Sequence, residues 1–387
     1  MKHILILSLA LLISACDSGS SSDSSLDIGD VKAIAVTIDP GFVSGAHAAI
    51  GQSSIGLTAL NDLSPSGSDV TVNAFGDFYY IIDRSAESIT KFAFANPAEI
   101  LWQFTTKDNA EDTGSNPHAI VFVSDQKAYV IRYGKTTAWI VNPSATIEAD
   151  FKIGELDLAS YAEVDADGIP NMDNAIVVGD KLFITLQMLN VFSPSDTAYV
   201  AVFDTATDTE IDTGTSANSL KGVPLQVKNP FSDIVYNSES GLIYIQATGD
   251  FFVEYTGGVE ALDPIDYATS LLLDDGDATS NPYGRITGFA IHSATEAYFV
   301  GLDGFDENTF ASINNLYKMN PATGEIVKSS IAAFEGIQIP KISMDDLGRL
   351  WVSDASNATL HVVNSHTDEV IDMVATGLNP GAVVFAP

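Results

Sequence analysis

The last strand-like stretch of the chain is Asn379-Pro380-Gly381-Ala382-Val383-Val384-Phe385. A turn dipeptide here runs into a short apolar, β-branched stretch, the pattern of a strand. The same pattern stands upstream in Asn116-Pro117-His118-Ala119-Ile120-Val121-Phe122 and in Ile339-Pro340-Lys341-Ile342-Ser343-Met344. There it is followed by an aromatic and β-branched run that reads as its antiparallel partner. At the C-terminus no partner follows. The missing run stands at the other end, in Lys32-Ala33-Ile34-Ala35-Val36-Thr37. The two ends are therefore expected to share one sheet and close a ring, which removes the free sheet edges that invite aggregation.

Working inward, one submotif recurs: a large apolar residue, then Asn or Asp, often followed by Pro or Thr. It appears at Leu60-Asn61, Phe94 before Asn96-Pro97, Val141-Asn142-Pro143, Phe203-Asp204-Thr205, Leu262-Asp263-Pro264, Met319-Asn320-Pro321 and Val363-Asn364-Ser365. Seven copies over residues 28–387 give a period of about 51 residues, that of a propeller blade. The Asn or Asp suits a hairpin turn because its side chain bonds backbone two residues on. Between these turns lie Tyr79-Tyr80-Ile81-Ile82, Tyr129-Val130-Ile131, Phe183-Ile184, Tyr244-Ile245, Tyr298-Phe299-Val300 and Trp351-Val352, which read as second strands covered on both faces. Helical periodicity is nearly absent. The sequence predicts an all-β, seven-bladed β-propeller of four-stranded blades over 28–387, its N- and C-terminal strands sharing one blade.

Composition narrows the partners. Of 387 residues, 51 are Asp or Glu and 17 are Lys or Arg, a net charge of −34. Nucleic acid is excluded as a partner because its binding needs clustered Lys and Arg to release counterions. The 46% hydrophobic content can fill a core, and the single cysteine rules out an intrachain disulfide. Strong acidity also suits a domain that stays dispersed and monomeric.

That cysteine, Cys16, closes Ile13-Ser14-Ala15-Cys16 behind Met1-Lys2-His3 and the apolar run from Ile4 to Ile13. The layout is that of a secretory signal over 1–15, too short to remain as a spanning helix. Ile13–Cys16 resembles the bacterial lipobox, in which the cysteine becomes the lipidated first residue. Residues 16–27, rich in Ser and Asp, read as a tether with a reach of roughly 20 Å. The expectation is a propeller held to a membrane of the bacterial cell envelope by lipid on Cys16, at the outer membrane or cell surface rather than the inner membrane.

Ser68-Asp69-Val70 leading to Tyr80-Ile81-Ile82-Asp83-Arg84, Asp165-Ala166-Asp167-Gly168-Ile169-Pro170, Gly257-Gly258-Val259-Glu260-Ala261-Leu262-Asp263-Pro264 and Asp345-Asp346-Leu347-Gly348-Arg349-Leu350-Trp351-Val352-Ser353-Asp354 together resemble the YVTN-type bacterial propellers. That group shares its fold with surface-layer repeat proteins and the beta chain of quinoprotein amine dehydrogenase. The resemblance implies a fold rather than an activity, since propellers host enzymes, binders and scaffolds alike. No cofactor-ligating motif carries quinoprotein chemistry over, and a c-type haem would need two cysteines.

In a propeller the loops leading into the innermost strands ring the channel mouth, the default binding site. At those positions stand Asp69, His118, Asp173, Asp233, Thr287, Lys341 and Gly381. The polar ones either hold a ligand or cation or merely solvate a wet channel. Arg84 and Arg132 close successive second strands and are expected to meet at the mouth as a fork for a carboxylate or other anion, unless each pairs with a local Asp. Asp165, Asp167 and Asp173 crowd a turn whose start echoes calcium loops, so Ca²⁺ is a candidate, although the closing Glu of an EF-hand is missing. No cofactor is required by any motif. The leading expectation is a module that binds a small anionic ligand or an envelope protein without covalent chemistry. The alternatives are a metal-assisted, lactonase-like hydrolase built on His118 and nearby carboxylates, and a purely structural surface protein.

Overall fold

The computed structural model describes residues 28–387 apart from 55, 192, 195–196 and 251–254. The signal, the tether and Cys16 lie outside the described residues. The chain forms seven antiparallel sheets arranged as blades. From channel to rim, blade 1 is Val70–Phe75, Phe78–Asp83, Ser88–Ala93 and Trp102–Thr105. Blade 2 is Pro117–Ser124, Lys127–Arg132, Thr137–Val141 and Lys152–Asp157. Blade 3 begins Met172–Val178, Lys181–Leu186 and Tyr199–Asp204. Blade 4 is Pro230–Asn237, Leu242–Ala247, Gly258–Leu262 and Thr269–Asp274, and blade 5 begins Arg285–Ile291, Ala297–Phe305 and Ser312–Met319. Blade 6 is Ile342–Met344, Arg349–Asp354, Thr359–Asn364 and Glu369–Ala375. Blade 7 takes its innermost strand, Asn379–Phe385, from the C-terminus and the rest, Asp30–Ile38, Gly45–Ser53 and Gly56–Ser66, from the beginning of the described chain.

The closing pair runs from Ala33 opposite Phe385 to Ile38 opposite Asn379, as the end patterns predict. Each innermost strand packs on the next around the ring. Cores lie between blades, because every second strand has a neighbour on each side and its side chains alternate faces. In blade 1, Tyr79 and Ile81 join the core shared with blade 7, while Tyr80 and Ile82 join the one shared with blade 2. Seven such inter-blade cores complete the circle.

Two rims depart from the four-strand expectation. In blade 3 the outermost position is split between Thr209–Glu210 and Val223–Pro224, and in blade 5 between Ile326–Lys328 and Glu335–Ile337. The split in blade 3 has a visible cause in Tyr161, from the short helix Ala159–Ala162 that precedes the blade. Its buried hydroxyl donates to Glu210 Oε1 at 2.6 Å and accepts from Gly222 N at 2.8 Å. Gly222 is required there, since a Cβ would stand 2.5 Å from the phenol oxygen.

The recurrent Asn/Asp turns acquire a second role in three dimensions. In five of them the carbonyl of the residue after the Asn or Asp accepts a hydrogen bond from the preceding blade. Lys91 Nζ donates to Pro143 O (2.9 Å), Lys127 Nζ to Thr205 O (2.7 Å), Lys181 Nζ to Pro264 O (2.8 Å) and Lys318 Nζ to Ser365 O (2.7 Å). His47 Nε2 lies 3.0 Å from Pro97 O, which also accepts from the Tyr79 hydroxyl. Five of the seven turns thus clasp their blade to its predecessor.

Candidate functional site

At the channel mouth, strand starts converge on a cavity of about 200 Å³ lined by Thr71, Asn73, Arg84, His118, Asp173, Asn174, Ser232, Asp233 and Lys341, with Val383 and Val384 from the closing strand. Antiparallel blades put every innermost strand's start and every second strand's end at this face, which is why residues so far apart in sequence meet. Five positions read from the sequence, Arg84, His118, Asp173, Asp233 and Lys341, line it together.

His118 Nδ1 bonds Asp173 Oδ1 at 2.9 Å, and its ring stacks on Tyr133 with centroids 4.5 Å apart. Burial pushes the imidazole below its usual pKa, with the Arg84 charge acting in the same direction, against the opposing pull of Asp173. The ring is therefore neutral at physiological pH, held in orientation by a carboxylate, and its Nε2 makes no hydrogen bond among the described residues. The other Asp173 oxygen accepts from Ser232 N at 2.5 Å. Ser232 holds a positive φ of 76°, a conformation uncommon for a residue with a Cβ, and it presents its Oγ to Lys341 Nζ at 3.0 Å. Lys341 also pairs with Asp233 at 2.5 Å, while Asp233 accepts from Phe289 N at 3.0 Å. The mouth is thus one connected polar array from His118 to Lys341.

Arg84 lies in the lining, its Nη1 paired with Asp69 Oδ1 at 2.7 Å, while its buried Nε has no partner among the described residues. The expected fork of Arg84 and Arg132 does not form. Arg132 is fully buried away from the cavity, its Nη2 paired with Asp108 at 2.6 Å, its Nη1 donating to Thr137 Oγ1 at 3.2 Å and its guanidinium 4.5 Å from the centre of the Trp139 ring. The reason is register. Arg132 is the partner of Pro117, whereas the equivalent partner of Val70 is Asp83. Arg84 is therefore one residue further along, and one residue reverses the face. The counterpart of Arg84 in blade 2 is Tyr133, the residue stacked on His118.

The acidic turn is likewise redistributed. Asp165 and Asp167 hydrogen-bond to each other, and burial with that contact raises Asp167. Asp173 turns instead to His118 and Ser232, so the three do not converge on one cation position. They do surround Tyr133, whose hydroxyl is pushed up to about 12 by burial and then by Asp173, Asp167 and Asp165. Sequence reasoning missed Tyr133, Ser232 and Asn174. The only signal for Ser232 was its adjacency to Asp233.

Fold and mouth together define a seven-bladed β-propeller with a polar site at one end of its channel. No protein family and no curated protein matches the sequence. Among solved structures, a Bacteroides uniformis protein provisionally named a 6-phosphogluconolactonase is similar, with a TM-score of 0.61 at 14% identity over 92% of this chain and 100% of that one. Its Bacteroides fragilis counterpart gives 0.59 at 12%, over 94% and 100%, and apo AztD from Citrobacter koseri gives 0.51 at 14%, over 92% and 99%. At such identities the likeness is one of fold.

Proposed function

We propose that the protein is a YVTN-like, lipid-anchored propeller of the bacterial cell envelope that binds a small, polar, anion-bearing ligand at the channel mouth. The carrying observation is the cavity itself. It sets the cations Arg84 and Lys341 beside carboxylates and backbone donors already fixed by one another, a preorganised surface that costs little to order on binding. Among the described residues, Arg84 Nε is a donor without an acceptor, and His118 Nε2, deprotonated in the neutral ring whose Nδ1 donates to Asp173, is an acceptor without a donor. A ligand carboxylate or phosphate would take the first, and a hydroxyl the second. The anchoring half of the proposal rests on Ile13–Cys16 alone. Cys16→Ser is expected to release the protein from the membrane fraction.

A second reading is favoured by one specific feature, the pair of His118 and Asp173. A neutral imidazole oriented by a carboxylate can draw a proton from water attacking a carbonyl, the role a general base plays in ester and lactone hydrolysis. Two structural neighbours are named for a lactonase, which makes sugar lactones the natural substrates to try. Thermal unfolding of the full chain with small carboxylates, sugar phosphates and Ca²⁺ separates these readings, because a ligand of the native state raises the melting temperature. For the binder, the shift disappears in Arg84→Ala and Lys341→Ala, and no lactone is turned over. Turnover that is lost in His118→Ala gives the site to the hydrolase instead. The absence of any shift or turnover across the panel would overturn both.

A further inference from the structure

At the end of the ring opposite the mouth, where innermost strands turn into second strands and third into fourth, a second cluster forms between blades 5 and 6. His292 and Glu296 flank the turn from Arg285–Ile291 to Ala297–Phe305, and His366 lies in the turn from Thr359–Asn364 to Glu369–Ala375. One ligand atom from each lies within 4.8 Å of the others. His292 Nε2 is 3.7 Å from Glu296 Oε2, and the two imidazole centroids are 5.5 Å apart. Two of the six histidines of the chain thus meet across a blade boundary with a carboxylate between them.

The surroundings hold these groups in place. Lys318 Nζ bonds Glu296 Oε1 at 3.0 Å and is shared with Asp368 at 3.2 Å, so one carboxylate oxygen is fixed while Oε2 faces His292. Glycine at 348 lets the turn of blade 6 lie against the His292 ring, since a Cβ there would stand 2.5 Å from Cε1. Ser365 Oγ lies 3.4 Å from His366 Nδ1. His292 Nδ1 is buried against Gly348 without a hydrogen-bond partner among the described residues, so the nitrogen that faces Glu296 is Nε2. Ion pairing explains Glu296, but it does not explain why two imidazoles gather beside it.

We propose that His292, Glu296 and His366 bind a divalent cation of the zinc type, with water at the fourth position. Two imidazoles and one carboxylate form a donor set suited to Zn²⁺ and its late first-row neighbours, whereas Ca²⁺ and Mg²⁺ favour oxygen alone. His366 is exposed, so the fourth position opens to solvent, as in zinc sites with three protein ligands. Metal–ligand bonds of about 2.1 Å in a tetrahedron put donor atoms about 3.4 Å apart. The His292–Glu296 spacing reaches that with a shift of a few tenths of an ångström. The site is separate from the mouth and does not depend on the function proposed for it.

The test uses the full chain, stripped with chelator and dialysed against Zn²⁺, with Co²⁺ as the spectroscopic substitute. The expected result is about one Zn²⁺ per chain, visible Co²⁺ bands of tetrahedral intensity, and a raised melting temperature because the ion joins two blades. His292→Ala, His366→Ala and Glu296→Gln should each weaken binding at least about 10-fold and remove the Co²⁺ bands, while His361→Ala, an imidazole elsewhere in blade 6, changes neither. Glu296→Gln preserves size and keeps the test decisive if an imidazole deletion unfolds the chain. Failure to bind Zn²⁺ stoichiometrically, or binding that survives the double histidine change, would overturn the proposal.

Discussion

At His47, burial and hydrogen bonding oppose each other. Desolvation lowers the imidazole to a pKa of about 4, despite the carbonyl of Pro97 acting to raise it. The unfolded chain takes up a proton here near pH 6.5 and the folded chain does not, so stability is lost as pH falls from about 6.5 to about 4, by as much as about 3 kcal/mol. Denaturant unfolding across that range should show the loss, and His47→Gln should flatten it. A wild-type minus variant difference that is constant with pH would mean that the imidazole is not held neutral. At the mouth, Asp173 is the residue on which geometry depends. Asp173→Ala strands both His118 Nδ1 and the amide of Ser232, at about 1–3 kcal/mol for each group left unsatisfied. It should also abolish the ligand-induced melting shift that wild type shows, whereas Asp167→Asn should retain it. His118 and Asp173 could both be named in the sequence as mouth residues. Their pairing could not, because they start strands in different blades.

For the elements, the clasp between blades explains why the turn motif recurs beyond its local chemistry. Asn or Asp sets the turn, and the carbonyl that follows is then offered to the preceding blade. In blade 2, Lys127 reaches Thr205 O and also pairs with Asp208 at 2.7 Å, while the Tyr129 hydroxyl donates to the other Asp208 oxygen at 2.6 Å. The preceding blade supplies a lysine to four of the five clasps in a protein with only 17 Lys and Arg, which makes these the costly lysines to lose. Lys127→Met should destabilise by about 1–3 kcal/mol in urea unfolding. Lys32→Met, at an exposed pair 3.8 Å from Asp30, should stay within about 0.5 kcal/mol. Equal effects would show that the clasp adds nothing beyond surface charge. A double change with Tyr129→Phe should be less than additive, since both side chains hold Asp208.

Over the whole molecule, stability depends on ring closure, since no blade buries both of its faces without a neighbour. Asn379–Phe385 is the innermost strand of blade 7, so removing 379–387 strips one blade of its channel strand and uncovers Ala33 to Ile38 as a free edge. The truncated chain should lose its cooperative thermal transition and bind a hydrophobic dye. A sharp transition near the wild-type temperature would mean that the ring holds without its closing strand. The fold was legible because its signals are local and repeated: alternation with period two, turn residues at a regular spacing, and complementary patterns at the two ends. The site was legible only as a set of strand starts. The sequence reading of the arginines failed by one residue of register, which sent Arg132 into the contact of blades 1 and 2 beside Trp139 and left Arg84 alone at the mouth.

The sequence by itself determined the number of blades, the closure of the ring and the face on which a mouth would form, because each of these follows from hydrophobic period and turn chemistry within a few residues. Only the tertiary structure decided which charges meet. His118 with Asp173, Lys341 with Asp233, and His292 with His366 join strands or turns of different blades. Such pairings depend on how each blade is rotated against the next, and that is set by the packing of the inter-blade cores rather than by any residue's immediate neighbours in the chain.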